Sequence, residues 1–220
     1  STGMPTRTQQ SDIMACAYAS HGDTKHVLLF PSTPAECFDM GAEAFDLAEQ
    51  LQTPVIIMND LDLGMNDSMS PPLQWDDSRE YQRGKVYTSE QLEAMSERFG
   101  RYLDSDGDGI PYRTYPGTHP EKGAFFTRGT SRDEYAVYTE DSAAYEYNMQ
   151  RLLKKWDTAK TYVPEAEAIG QGSKVGVIYF GTSRDATLEA VAALSDSGIT
   201  VDSLRCLLYT SPSPRDETKS

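Results

Sequence analysis

Several short stretches of this chain bring reactive side chains together. His21-Gly-Asp23 pairs an imidazole, which titrates near neutrality, with a carboxylate. Such a pair can move a proton, although a lone His-Asp in a loop is more often structural. Ser20 beside it sits in no nucleophile elbow, which disfavours a hydrolase. Asp104-Ser-Asp-Gly-Asp-Gly109 places carboxylates at the spacing that opens a calcium loop. The last ligand position of that loop needs Glu and holds Tyr115, and Pro111 and Pro116 stand where a helix would leave. An EF-hand is excluded, and a solvated Asp/Gly turn is preferred over a weak calcium site. Gly181-Thr-Ser183, between an expected strand and helix, could cradle a phosphate at the helix N-terminus. It lacks both GxGxxG and a P-loop lysine, so a tight turn with Thr182 or Ser183 as N-cap is the preferred reading. Ser1–Gln10 is dense in hydroxyl and amide groups and carries Arg7; alone it reads as a polar loop.

The elements that position these groups follow from apolar spacing. His26–Phe30 and Val55–Met58 are short apolar runs that flank a helical pattern from Ala35 to Gln52, where Phe38, Ala42, Phe45 and Ala48 recur on one face. Thr33 and Glu36 make a capping box, and Pro34 takes the first helical position. Strand, helix and strand predict a βαβ unit with two parallel neighbouring strands. Asn59–Asp62 then stands just past a strand end, the edge of an open parallel sheet where sites collect. Leu63 to about Tyr147 is a long segment rich in Gly, Pro, Asp and Tyr, with one short helix predicted over Ser89–Tyr102. A stretch of this kind suggests a lid or an interface arm. Ser142–Thr161 predicts a helix with Tyr145, Met149, Leu152, Leu153 and Trp156 on its apolar face and Lys154-Lys155 at its negative end. Lys174–Phe180, Thr182–Ser197 and Ile199–Arg205 predict strand, helix and strand again, with Gly198 ending the helix.

With 34 Asp+Glu against 20 Lys+Arg and a net charge of −14, the chain lacks the cationic clusters that nucleic acid or an anionic membrane would need. The 3 cysteines, Cys16, Cys37 and Cys206, fit neither a disulfide framework nor a CxxC metal or cluster site. No apolar run is long enough to span a bilayer and no signal peptide is read, so a soluble, cytoplasmic protein is expected. Residues 206–220 read as an adapter-derived tail, because Cys206–Asp216 has the sequence that a transposase-type sequencing adapter gives in one frame. Ser1–Pro5 reads as the inside of a loop, so a fragment open at both ends is expected.

Ser1–Asp12, Ser20–Asp23, Phe30–Phe38 and Pro54–Asp60, taken in order with their spacing, resemble the alpha subunit of 2-oxoacid:ferredoxin (acceptor) oxidoreductases of the 2-oxoglutarate type, with Tyr112–Asp141 as a family-like insert. The resemblance implies an α/β fold: a partial parallel-sheet pyrimidine-binding domain of the thiamine-diphosphate enzyme type over 1–162 with a long insert at about 63–141, a linker over 163–173, and the start of a transketolase C-terminal-like domain over 174–205. It implies CoA-dependent oxidative decarboxylation of a 2-oxoacid, with electrons passed to ferredoxin through a [4Fe-4S] cluster on the partner subunit. Thiamine diphosphate and Mg2+ would then sit mainly on the beta subunit. Gly107-Asp-Gly109 is no substitute, since it lacks a preceding apolar strand and Asn148 lies too far on to hold the metal. In the family the loop matching Ser1–Asp12 faces substrate, which implies Thr2, Gly3, Thr6 and Arg7 as substrate-binding residues, Arg7 through a bidentate pair with a carboxylate. His21 and Asp23 are the catalytic candidates, and Asp60 and Asp62 would face the beta subunit. The family's pyrimidine-contacting glutamate and its Tyr-Pro-Ile-Thr-Pro segment belong before Ser1, so the piece alone is expected to be inert. Two readings from other classes compete: a non-catalytic α/β scaffolding or binding subunit, and a calcium-binding α/β protein built on Asp104–Asp108.

Overall fold

A computed structural model of the chain describes residues 9–20, 25–170 and 172–207. Along the chain run α1 (Ser11–Ala17), β1 (Val27–Leu29), α2 (Pro34–Leu51), β2 (Val55–Ile57), α3 (Leu61–Met65), α4 (Ser89–Ala94), α5 (Ser142–Ala159), β3 (Glu167–Ile169), β4 (Gly176–Tyr179), α6 (Ser183–Asp196) and β5 (Asp202–Arg205). They divide into two units: residues 1–48, 53–81 and 163–220 in one, and 49–52 with 82–162 in the other. No helix among the described residues is long and apolar enough to cross a membrane.

The first unit is built on two parallel strand pairs. β1 and β2 pair in register Val27 to Val55 through Leu29 to Ile57, joined by α2 as the expected crossover. β4 and β5 are likewise parallel, and β3 adds antiparallel to the far side of β5, within the segment read as a linker. The carbonyl of Leu207 accepts from Phe30 N–H at 3.0 Å, so the chain after β5 runs beside the end of β1. Val27, Leu28 and Leu29 are fully buried, and Ala17, Leu28 and Phe30 form a core closed by Ile13, Cys16, Ile56 and Met58. Burying each such side chain is worth about 1.5–3 kcal/mol.

The expected capping box forms by half. Glu36 N–H donates to Thr33 Oγ1 at 3.1 Å, but the Glu36 carboxylate accepts from Ser32 N–H at 2.6 Å and is taken by Arg205 rather than by the N-cap backbone. α6 ends as expected: Gly198, at φ +76°, carries the left-handed turn, with Ile199 N–H donating to Leu194 O at 2.9 Å and Gly198 N–H to Ser195 O at 2.9 Å.

The second unit is loop-rich and organised by α4 and α5. The helix predicted over Ser89–Tyr102 stops at Ala94, because Met95 turns to ψ 122° after a complete Thr88/Gln91 capping box. α5 forms where predicted, and its expected apolar face is borne out in part, with Trp156 buried and Met149 and Leu152 half-buried. Arg151, Lys155, Trp156 and Ala159 are buried, whereas Tyr145 and Leu153 are 47% and 57% exposed. Lys155 therefore does not serve the helix end. The Asp/Gly loop lies directly against this helix: a Cβ at Gly109 would come within 2.4 Å of Lys155 N, and Thr158 Oγ1 donates to Asp108 O at 2.6 Å. That approach requires glycine, which also supplies φ +82°.

Candidate functional site

The parallel strands of the first unit end on a cleft of about 1170 Å³. Its apolar wall comes from Ile13, Phe30, Ile56, Met58 and Phe180, with the Phe30 and Phe180 rings 5.2 Å apart between centroids. Its polar rim comes from Gln9, Gln10, Ser11 and Asp12 on one side and from Asn59, Asp60, Thr182 and Ser183 on the other. This is the carboxyl edge of the parallel strands, where sites collect in open α/β sheets.

Asp60 organises the rim. One carboxylate oxygen accepts from Leu63 N–H at 2.8 Å and caps α3; the other accepts from Thr182 N–H at 3.0 Å and Thr182 Oγ1 at 2.6 Å. Burial would raise its pKa, but the hydrogen bonds from the Thr182 hydroxyl and from the N–H groups of Leu63, Thr182 and Asp62 outweigh it and hold the carboxyl below the usual range. Gly181 is the close neighbour: at φ +59°, a Cβ there would stand 2.9 Å from the Asp60 carboxylate. The turn read as a phosphate cradle thus already holds a carboxylate from its own chain. The N-cap Thr182 makes no capping bond with its own side chain, a correction to its expected role. Asp62 is exposed and pairs with Asn66.

Replacing Asp60 with alanine removes acceptors at two helix starts, and a loss of about 2–3 kcal/mol of stability is expected. Because the folded carboxyl titrates below its ordinary value, this contribution is present above the unfolded pKa and fades as pH falls through the folded one. Chemical denaturation of Asp60→Ala beside the parent at pH 7 and pH 3 checks both; equal midpoints at pH 7 would refute the assignment.

Below the rim, Arg205 is 2% exposed and donates to Ser32 Oγ at 2.7 Å, to Glu36 at 2.6 Å and to Glu167 at 3.3 Å. It fixes the loop that follows β1, and with it Phe30. Cys37, 3.5 Å from Asn59 Oδ1, is no activated nucleophile, since burial and then the charges of Glu36 and Asp60 push its thiol pKa up.

Of the residues singled out by sequence, Asp60 is brought to the cleft. Thr2, Gly3, Thr6, Arg7, His21 and Asp23 lie outside the described residues. The described end of the same N-terminal stretch, Gln9 to Asp12, does line the cleft. The residues not anticipated, Phe30, Met58 and Phe180, are the first ones past strand ends, a signal available from strand boundaries alone. The Asp104, Asp106 and Asp108 carboxylates do converge, but two of them meet a cation of the chain, Lys85 Nζ lying 2.7 Å from Asp106 and 2.6 Å from Asp108, and Asp104 accepts from Gly109 N–H at 3.0 Å.

Residues 1–157 match the family described as pyruvate flavodoxin/ferredoxin oxidoreductase, thiamine diphosphate-binding. The chain is 30% identical to the alpha subunit of a 2-oxoacid:ferredoxin oxidoreductase of Saccharolobus solfataricus, over 98% of this chain and 33% of that one. It is 35% identical to the 2-oxoglutarate synthase subunit KorA of Methanothermobacter marburgensis, over 56% of this chain and 33% of the relative. Among solved structures it resembles a 2-oxoglutarate:ferredoxin oxidoreductase of Magnetococcus marinus, which has 2-oxoglutarate, coenzyme A and succinyl-CoA bound, with TM-score 0.79 and 22% identity over 99% of this chain and 36% of that one. The chain spans about a third of the length of these relatives.

Proposed function

We propose, since this chain belongs to the pyruvate flavodoxin/ferredoxin oxidoreductase thiamine-diphosphate-binding family, that it is part of the alpha subunit of an oxidoreductase acting on 2-oxoglutarate. The parent complex would convert the 2-oxoacid and coenzyme A to an acyl-CoA and pass electrons to ferredoxin. The family match over residues 1–157 carries this reading. The 2-oxoglutarate preference is supported by the relatives named for that substrate.

Within this frame the domain assignment stands as proposed: residues 1–162 as the later part of the pyrimidine-binding domain with its insert, and 174–205 as the start of the next. The cleft fits one end of thiamine diphosphate better than the other. Its apolar wall of Phe30, Met58 and Phe180 suits an aromatic ring, whereas the helix start at Thr182 is already served by Asp60. A diphosphate with its Mg2+ therefore fits the beta subunit better, as does a [4Fe-4S] cluster. When bound, thiamine diphosphate supplies the carbon nucleophile and electron sink that decarboxylation of a 2-oxoacid needs. The chain's own residues bound and dry the cleft. Thr2, Gly3, Thr6 and Arg7 would reach the substrate carboxylates, and His21 and Asp23 would hold or move a proton. Asp62, exposed beside Asp60, is available to the beta subunit.

The test uses the full-length parent subunit co-expressed with its partner and follows ferredoxin reduction that depends on coenzyme A. Turnover with 2-oxoglutarate well above that with pyruvate is expected. Arg7→Ala should lower kcat/KM for 2-oxoglutarate about tenfold or more, as loss of a charge-assisted contact requires. Unchanged kinetics would remove Arg7 from the site, and absence of turnover with every 2-oxoacid would favour the non-catalytic scaffolding role.

A further inference from the structure

In a chain with 34 acidic and 20 basic side chains, a cation that lacks a carboxylate partner is conspicuous. Lys85, Arg113 and Arg205 each have one. Among the described cations of the second unit that show no ion pair, three arginines share one ring, and Lys155 lies one helical turn beyond the last of them on α5. The guanidinium carbons of Arg101, Arg132 and Arg151 stand 5.3, 5.8 and 5.9 Å from the centroid of the Tyr102 ring. A ring has only two faces, so at least two of the three groups share one. Arg132 and Arg151 donate to neutral oxygens, those of Gly129, Gly109 and Asn148. Arg101 and Lys155 have no hydrogen-bond acceptor among the described residues, and Lys155 is 5% exposed.

Leaving such groups so is costly, because a buried cation without an acceptor forfeits its hydration, and Lys155 has in return only the face of the Trp156 ring, 5.3 Å from Nζ. Burial lowers the pKa of Lys155 first, and the charges of Arg151 and Arg101 lower it further; burial and the charge of Arg101 do the same to Arg151. Asp104 eases Arg151 from beyond ion-pair distance. The stacked tyrosine softens the repulsion without cancelling it, since a cation–π contact is worth about 0.5–2 kcal/mol.

We infer that Arg101, Arg132, Arg151 and Lys155 form a receptor for a phosphate group, with the half-exposed Arg101 and Arg132 as the fork that meets it and Arg151 and Lys155 as the buried charge behind. Guanidinium forks match a tetrahedral oxyanion two N–H groups at a time, and the site's excess positive charge suits a dianion better than a single carboxylate. The assignment shares no residue with the cleft and does not rest on the reading of its function.

The probe is inorganic phosphate added to the full chain at pH 7, against sodium chloride of equal ionic strength, with succinate as the carboxylate control. The melting temperature should rise by roughly 3 °C at saturating phosphate. Calorimetric titration should give an affinity about tenfold weaker in Arg101→Gln and in Arg132→Gln. Arg101 donates no hydrogen bond within the described fold, so its variant should melt near the parent in chloride. Absence of heat and of any melting shift, an affinity unchanged in both variants, or succinate binding as tightly as phosphate would each overturn the assignment.

Discussion

Arg205→Met should lower the stability of the chain by about 2–4 kcal/mol at pH 7. Arg205 is 2% exposed and holds the carboxylate of Glu36, whose side chain is only 29% exposed. Removing the guanidinium leaves that carboxylate partly buried with only Ser32 N–H, and uncouples β5 from the loop after β1. The cost stems from the orphaned partner more than from the lost pair, so Arg205→Met combined with Glu36→Gln should recover part of it, with a coupling of about 1–3 kcal/mol. The sign with pH follows from Glu36. Burial pulls its pKa up, but the hydrogen bonds from Arg205 and Ser32 N–H and the positive charge of Arg205 bring the folded value below the ordinary one. Its stabilisation is present above the unfolded pKa and is lost as pH falls through the folded one. Urea titrations of the four chains at pH 7 and pH 3 measure the cycle. Strict additivity at pH 7 would show that Arg205 acts by packing alone.

The same pair shows what a sequence can and cannot declare. The βαβ unit over residues 26–58 is legible because its cues are local: an apolar run, Thr33 and Pro34 at a helix start, a 3–4 spacing, then Thr53-Pro54 to end it. Each is a statement about neighbours within a few residues, and the structure reproduces each. The destination of the Glu36 side chain is not local. A capping box predicts that it turns back to the N-cap, and a guanidinium from residue 205 competes for it and wins, because it adds a full positive charge that a backbone N–H lacks. Asp60 repeats the lesson, since Thr182 is remote in sequence and adjacent in the fold.

The candidate site is legible at the level of its edge. A strand end followed by Asn59–Asp62 marks where a cleft should open, and it opens there. The side chains expected to carry chemistry, from Thr2 to Asp23, came from resemblance and lie outside the described residues, so their roles remain proposals. The calcium-like loop was legible as a turn. That two of its carboxylates are met by Lys85 could not be read, because nothing local ties residue 85 to residues 106 and 108.

The α5 face illustrates the converse, an inward surface hidden by composition. Apolar spacing selects Tyr145 and Leu153, yet the helix turns Arg151 and Lys155 toward the Asp/Gly loop, because the bare backbone of Gly109 lets the helix approach there. That choice has a measurable cost. Burial, with Arg151 and Arg101 adding repulsion, pushes the pKa of Lys155 from 10.5 down to about 8. Below pH 8 the folded chain carries the full penalty of a buried ammonium, about 3 kcal/mol for a shift of this size. Between pH 8 and 10.5 the unfolded chain holds the proton more tightly than the folded one, so stability rises with pH across that window. Lys155→Met, which keeps the length of the side chain and sheds the charge, should therefore raise the melting temperature by roughly 6–10 °C at pH 7. The gain should shrink through that window and approach zero only above pH 10.5, where the parent lysine loses its proton in the unfolded state as well. Saturating phosphate should also narrow the gap between variant and parent, because an anion beside Arg101 relieves the same repulsion that the methionine removes. A variant less stable than the parent at pH 7 would show that the ammonium is satisfied in the fold, and with it the case for an anion at this site would fail.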